Sequence, residues 1–432
     1  MPTFVATSSE SRYARSKELH ERASRVLAGG VSSEFRKSAS PHPLAFARGE
    51  GARITDVDGN VYLDFTLSQG PLILGHSHPE VLEAVNRATA DGQIFAGQHL
   101  AEIELAETIQ RLVPCAERMR FGLSGSEAVH AALRTARAAT GRPKFLRFEG
   151  QYHGWLDGVV PGIVPAGGAD WTQGLPAGVA EDSIILPWND AEAAARVLSQ
   201  RAGEIAAIIT EPVMCNTGCI PPRPGFLSAL RALCDTHGCL LIFDEVITGF
   251  RLGLAGAQGE YHVTPDLAVF GKALANGWPV SAVVGKAPAM AVMAQGKAVQ
   301  AGTLNSGNPG IAAARATLRI LERDHVHDRI RTLGLRLMRG LQQAARDAGV
   351  QVLVQGPGPM FHVGFTTREE VREARDAASF DRVRGARFIG AMQDRGIRLI
   401  ARGLWYVSGA HTEVDVDQAI AAARASFEDV KG

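Results

Sequence analysis

The chain has 432 residues, 46% of them apolar and 21% charged, enough for two or three packed units around a large core. Lysine plus arginine and aspartate plus glutamate are equal at 45 each, so neither sign marks a nucleic-acid partner or an anionic membrane. No apolar stretch reaches the length of a membrane span, no apolar secretory core follows Glu10, Glu18 and Glu21, and five cysteines form an odd set that argues for a reducing, cytoplasmic setting.

Residues 16–27 carry an amphipathic helical pattern stopped by Gly29-Gly30. The following stretch to Phe35-Arg36 is irregular. By residue type alone Arg36 is either a solvated loop arginine or a fork for a carboxylate. Alternation from Ala45 to Phe65 predicts a small meander turning at Asp58-Gly59. His76 and His78 have a spacing that can serve a metal, but no acidic residue lies close by, and they read as structural.

Residues 119–123 predict a strand running into Ser124-Gly125-Ser126-Glu127, a capping box at the start of a helix that Gly141 stops. Such a start offers free N–H groups and a positive dipole end to an anion, although a plain capped helix is the more frequent case. A strand at 145–148 precedes Tyr152 and His153; Tyr152 is either a core aromatic or a ring that stacks on a planar ligand. Residues 158–187, rich in Gly, Pro and Ala, read as a lid or binding loop. A buried-type strand at 205–210 ends at Glu211-Pro212, and Asn216 lies in the loop beyond. Cys215, Cys219, Cys234 and Cys239, with His237, invite a zinc reading, but Cys239 opens an apolar run and buried small hydrophobes fit better.

Two strand ends carry the chemistry. Cys239 to Phe243 is continuously apolar and ends in Asp244-Glu245, as a parallel strand covered on both faces would. A carboxylate there is costly without a cation or donor. Leu267 to Phe270 is a second apolar run, ending at Gly271-Lys272. A lysine so placed either snorkels to water or is desolvated, and a neutral amine attacks carbonyls. An acid and a lysine at successive strand ends suit the two ends of pyridoxal phosphate: the acid for the pyridine nitrogen, the lysine for covalent attachment. Beyond them, Gln300 to Gly310 precedes a helix, a long helix follows from about Ala316, and strands are expected at 350–354, 360–366, 397–400 and 404–407.

The segments Asp244-Glu245-Val246-Ile247-Thr248-Gly249-Phe250-Arg251 and Gly271-Lys272-Ala273-Leu274-Ala275-Asn276-Gly277 resemble the signature of class III pyridoxal-phosphate aminotransferases. The resemblance runs from about Arg36 to His411. It implies an α/β, fold-type I architecture: a large cofactor domain with a mostly parallel central sheet flanked by helices, and a smaller α/β domain from the N- and C-terminal segments. On this chain those parts are residues 1–66, 67–315 and 316–432. The same resemblance implies roles for residues. Lys272 carries the cofactor and moves the proton, and Asp244 faces the pyridine nitrogen. Gly125 and Ser126 hold the phosphate, Tyr152 stacks on the ring, Asn216 lies near the phenolic oxygen, and Val246 completes the cofactor site. Thr303 reaches the phosphate of a neighbouring subunit, which implies a homodimer with shared sites, although one extra residue stands between Thr303 and Gly307. No metal is implied.

Within the family, the glutamate-1-semialdehyde aminomutase branch carries an acidic residue where this chain has Gly403, and an aromatic where it has Gln69. Arg402-Gly403 instead resembles aromatic β-amino acid transaminases. The expectation is therefore an aminotransferase moving an amino group from an aryl-substituted β-amino acid to a 2-oxo acid such as pyruvate or 2-oxoglutarate. Arg36 and Arg402 would hold the carboxylates. The alternatives are an aminomutase and, retaining less of the motif logic, a binding protein without catalysis.

Overall fold

Continuous apolar runs in the middle of the chain become a buried seven-stranded sheet. The computed structural model describes residues 12–37, 39–163 and 170–431. In chain order the strands are β1 Phe46–Glu50, β2 Arg53–Asp56, β3 Val61–Asp64, β4 Arg118–Gly122, β5 Lys144–Phe148, β6 Ser183–Leu186 and β7 Ile205–Thr210. The rest are β8 Leu240–Asp244, β9 Leu267–Phe270, β10 Ser281–Gly285, β11 Val352–Gln355, β12 Met360–Phe365, β13 Ile397–Arg398 and β14 Leu404–Tyr406. The central sheet has the order β4-β10-β9-β8-β7-β5-β6. Its pairs from β9 through β6 are parallel, and β10 alone runs against both of its neighbours. Every residue of β7, β9 and β10 is buried, as expected where helices cover both faces.

This arrangement fixes where the chemistry lies. In open parallel sheets, ligands bind beyond the carboxyl ends of the strands. β7, β8 and β9 are neighbours, with Thr210 paired to Phe243 and Asp244 paired to Val269. Glu211, Asp244 and Lys272 therefore leave the same edge of the sheet. The helix Gly125–Thr140 packs on this sheet and starts at that edge, with the expected capping box between Ser124 and Glu127 and a left-handed Gly141 as its stop.

The predicted meander is present as β1, β2 and β3, antiparallel in sequence. Asp56 Oδ1 pins its turn by accepting the N–H groups of Asp58 at 3.0 Å and Asn60 at 2.8 Å. β13 then adds to β3 in parallel, Ile397 opposite Leu63, so the end of the chain returns to its beginning. β11, β12 and β14 form a separate antiparallel sheet.

Two sequence expectations need adjustment. The stretch 158–187 is not loop throughout: its last residues form β6, which pairs with β5 at the sheet edge, while residues 164–169 lie outside the described residues. The helix expected from Ala316 is two helices, Asn308–Arg323 and Val326–Asp347, separated by a left-handed His325. The expected division at residue 316 thus falls inside the first of them. Among the described residues no helix is long and apolar enough to cross a membrane.

Candidate active site

A cavity of about 330 Å³ opens at the carboxyl edge of the central sheet, lined among others by Ser124, Gly125, Ser126, Tyr152, Asp244, Val246 and Lys272. Lys272 follows β9 after Gly271. Its backbone is left-handed, φ 42°, a strained conformation for a residue with a Cβ and one that often marks functional sites. The side chain keeps some contact with the cavity, but the surrounding protein desolvates its amine. That desolvation, reinforced by the nearby Arg402 cation, brings the amine down to about 8. Of the two alternatives open in the sequence, burial favours the desolvated lysine over a snorkelling one.

Asp244 ends β8 and is 5% exposed. Its Oδ1 accepts the N–H of Val246 at 3.1 Å, and its Oδ2 lies 2.8 Å from Nδ1 of the buried His153. His153 Nε2 is buried and has no hydrogen-bond partner among the described residues. Across the cavity the helix Gly125–Thr140 presents its start. As its first residues, Gly125 and Ser126 have N–H groups without intrahelical acceptors. Gly125 is pressed against Val246, where a Cβ would come within 2.9 Å of the valine Cγ2.

Glu211, at the end of β7, is 4% exposed and ties the remaining wall together. It accepts the N–H groups of Tyr152 at 2.7 Å and Cys215 at 3.1 Å, and the Asn216 amide lies 3.4 Å from both of its oxygens. Burial pushes this carboxyl up to about 6. Gln151 holds its backbone, accepting the Glu211 N–H at 3.0 Å and donating to its carbonyl at 3.1 Å.

Arg402 does not line the cavity but stands close enough for its charge to act on Lys272 and Tyr152. Its Nη2 donates to Gln69 Oε1 at 3.3 Å, its guanidinium lies 5.0 Å from the centre of the Phe35 ring, and its Nε is buried without a partner among the described residues. Phe35 in turn meets Tyr152 edge-on at 5.2 Å and Trp171 at 5.6 Å.

The structure thus brings Lys272, Asp244, Val246, Gly125, Ser126, Tyr152 and Asn216 around one cavity, with the charge of Arg402 felt by both Lys272 and Tyr152. Arg36 is exposed in a short 3-10 turn, Thr303 is exposed in its loop, and neither they nor Arg402 line the cavity. The cysteines at 115, 215, 219, 234 and 239 are all buried and free, and among the described residues no His, Cys, Asp and Glu cluster is arranged to hold a metal. Contrary to the expectation that no acidic residue lies close to it, His76 Nε2 is 2.8 Å from Asp64 Oδ2 at the end of β3; the fold brings the pair together, and they hold no metal cluster among the described residues. His153, Glu211, Phe35 and Trp171 have no role that their sequence context announces outright. For Glu211 a signal is present, since it ends an apolar strand as Asp244 does; for His153 only adjacency to Tyr152 points there.

The model of a family described as aminotransferase class-III matches residues 35–421. Glutamate-1-semialdehyde 2,1-aminomutase from Desulfitobacterium hafniense (strain DSM 10664 / DCB-2) is 42% identical over 422 residues, 95% of this chain and 97% of that protein. Among solved structures, an omega-transaminase from Sphaerobacter thermophilus matches with a TM-score of 0.91 at 35% identity, covering 96% of this chain and 98% of that one. A β-phenylalanine aminotransferase from Variovorax paradoxus matches with a TM-score of 0.88 at 32% identity, over 96% of this chain and 94% of that one.

Proposed function

Because the chain belongs to the class III aminotransferases, enzymes that depend on pyridoxal 5′-phosphate, we propose that it moves an amino group from an aryl-substituted β-amino acid to a 2-oxo acid. The donor set fits the cofactor: a desolvated amine, a buried carboxylate opposite it, and a helix start with free N–H groups line one cavity. When bound, pyridoxal phosphate supplies an aldehyde that captures amines and a ring that takes up electrons released at the substrate carbon.

The chain's own residues do the rest. Lys272, its amine brought down to about 8, would be the residue that attaches the cofactor and would carry a proton at Nζ. Asp244 stays an acceptor for the pyridine nitrogen, oriented by His153 and the Val246 N–H. Gly125 and Ser126 would hold the phosphate, Tyr152 and Val246 would pack on the ring, and Glu211 keeps Tyr152 and Asn216 in place.

The observation that carries the substrate reading is Arg402, a cation beside the cavity with no carboxylate partner among the described residues. A substrate carboxylate supplies that partner with charge-assisted hydrogen bonds. Phe35 and Trp171 beside it offer faces for an aryl group. Arg36, next to Phe35 in the chain, would take the donor's carboxylate. The β-phenylalanine aminotransferase among the structural neighbours supports this reading. An aminomutase remains the second reading, favoured by the relative of that name. Gly403 weighs against it: the residue is left-handed, φ 80°, and a Cβ there would come within 2.9 Å of His362 Nε2 and the Val363 carbonyl.

The same reading makes the folded unit a homodimer, with residues 1–66 and 316–432 as the smaller domain beside the cofactor domain. Phe95, Leu100, Val299 and Leu304 are exposed, and their two segments are tied together by Asn308 donating to Gln93 O at 3.0 Å and by His99 lying 2.9 Å from Ser306 O. Such an apolar surface beside Thr303 suits a second copy. Initial rates with 3-amino-3-phenylpropanoate and with glutamate-1-semialdehyde, using pyruvate or 2-oxoglutarate as acceptor, test the substrate. Faster turnover of the semialdehyde overturns the β-amino acid reading.

A further inference from the structure

The turn after β3 adopts a conformation that side chains avoid. Leu67, Ser68, Gln69 and Gly70 are consecutive and left-handed, with φ of 45°, 56°, 70° and 100°. Three such residues with a Cβ persist in a row only where their surroundings hold them. Asp64 does so from below, its Oδ1 accepting Thr66 N at 2.8 Å, Thr66 Oγ1 at 2.6 Å and Leu67 N at 3.2 Å. The buried Arg251 joins the Gly70 carbonyl to the Val407 carbonyl. A Cβ on Gly70 would come within 2.6 Å of the Tyr406 ring, and Tyr406 N donates to Phe65 O at 2.9 Å. The turn is therefore locked in register with β14, which follows Arg402 by two residues.

What this locking presents is one amide. Among the described residues, Gln69 is the only side chain that hydrogen-bonds the Arg402 guanidinium. An amide oxygen accepts a hydrogen bond but carries no charge. It can orient a guanidinium without neutralising it, whereas a carboxylate in its place would form an ion pair.

We propose that Gln69 is a positioning residue that fixes Arg402 beside the cavity and leaves its charge free for the carboxylate of the 2-oxo acid. This rests on the reading of Arg402 as a carboxylate site. It goes further in assigning the selectivity to a neutral neighbour held by a strained turn. It also bears on Lys272, whose proton is repelled by Arg402 and attracted by Glu211 and Asp244. Neutralising Arg402 removes the repulsion.

Two substitutions test the role. Gln69→Glu keeps the shape and adds the charge. Gln69→Asn keeps the amide and tolerates the left-handed turn, but is too short to reach. In the loaded enzyme, Gln69→Glu is expected to raise KM for the 2-oxo acid by about tenfold, the scale of one charge-assisted hydrogen bond. KM for a neutral aldehyde acceptor should shift far less, and kcat at saturating acid should hold. In the cofactor-free protein, the pH midpoint for acylation of Lys272 by an amine reagent should move up. Gln69→Asn should raise KM for the acid while folding as the wild type does. If both variants match the wild type in KM for the acid and in the labelling midpoint, the proposal falls. If Gln69→Asn alone behaves as wild type, Gln69 serves only the turn, and the proposal falls again. A wild type that prefers a different amino donor, while Gln69→Glu still penalises only carboxylate acceptors, supports the role of Gln69 and removes the donor assignment.

Discussion

His153 Nδ1 lies 2.8 Å from Asp244 Oδ2, with both side chains buried. The two come from different strand ends: His153 follows β5, and Asp244 closes β8. A buried carboxylate needs donors, and here a ring N–H supplies one while the Val246 N–H supplies the other.

Replacing His153 by alanine should therefore leave Asp244 one donor short, at a cost of about 1–3 kcal/mol. The expected result is cofactor affinity lower by roughly tenfold to a hundredfold, read by cofactor fluorescence after dialysis. His153→Asn places an amide N–H near the position of Nδ1 and should recover part of the loss. Equal affinity in all three proteins would show that Asp244 does not depend on this partner.

Lys272→Ala should abolish covalent attachment of the cofactor. After borohydride reduction, mass spectrometry should find the cofactor on the Lys272 peptide of the wild type and on no peptide of the variant. Turnover should fall by about 10²–10⁴-fold or more, since both attachment and proton transfer are lost.

The same lysine makes a stability prediction for the cofactor-free protein. Its amine sits at about 8 in the fold, against about 10.4 in an unfolded chain. A depressed lysine means that the unfolded state binds more protons between those values, so stability rises with pH across that window. Below about 8 the penalty is fully present, on the order of 3 kcal/mol before cavity water screens it. Lys272→Met should raise the Tm of the cofactor-free protein at pH 7 and lose that advantage as pH approaches 10. A constant difference between the two proteins at every pH would contradict a desolvated Lys272.

Gly403→Ala should destabilise the protein by about 1–2 kcal/mol for its left-handed backbone alone, and more through the contact with His362. Because Arg402 precedes it, KM for a carboxylate substrate should rise as well. Thermal melts and acceptor kinetics check both. A neutral Gly403→Ala would mean that this loop tolerates a side chain, and the structural objection to an acidic residue here would lapse.

Thr303 is exposed in the single chain, where Thr303→Ala should change stability by no more than about 0.5 kcal/mol. In a homodimer with shared sites, the same substitution should weaken cofactor retention. Sedimentation analysis alongside cofactor release tests the pair of expectations, and an active monomer would exclude the shared site.

Much of this protein is local and can be read along the chain. The apolar runs closing at Glu211, Asp244 and Lys272 become β7, β8 and β9 because a strand covered on both faces admits only such residues. The capping box at Ser124 and Glu127 is a three-residue relationship and needs no tertiary information. Parallel neighbours then carry Asp244 and Lys272 to the same edge. The rest depends on contacts between distant parts of the chain. His153 and Asp244 are 91 residues apart, and Gln69 and Arg402 are 333 apart, so no periodicity or spacing could join them. Nor could sequence choose between a snorkelling and a desolvated Lys272, since the choice depends on how much protein and how much charge surround one amine. The left-handed turn at 67–70 contains only one glycine to announce it. Its conformation is imposed from outside, by Asp64, Arg251 and Tyr406, rather than preferred by its own residues.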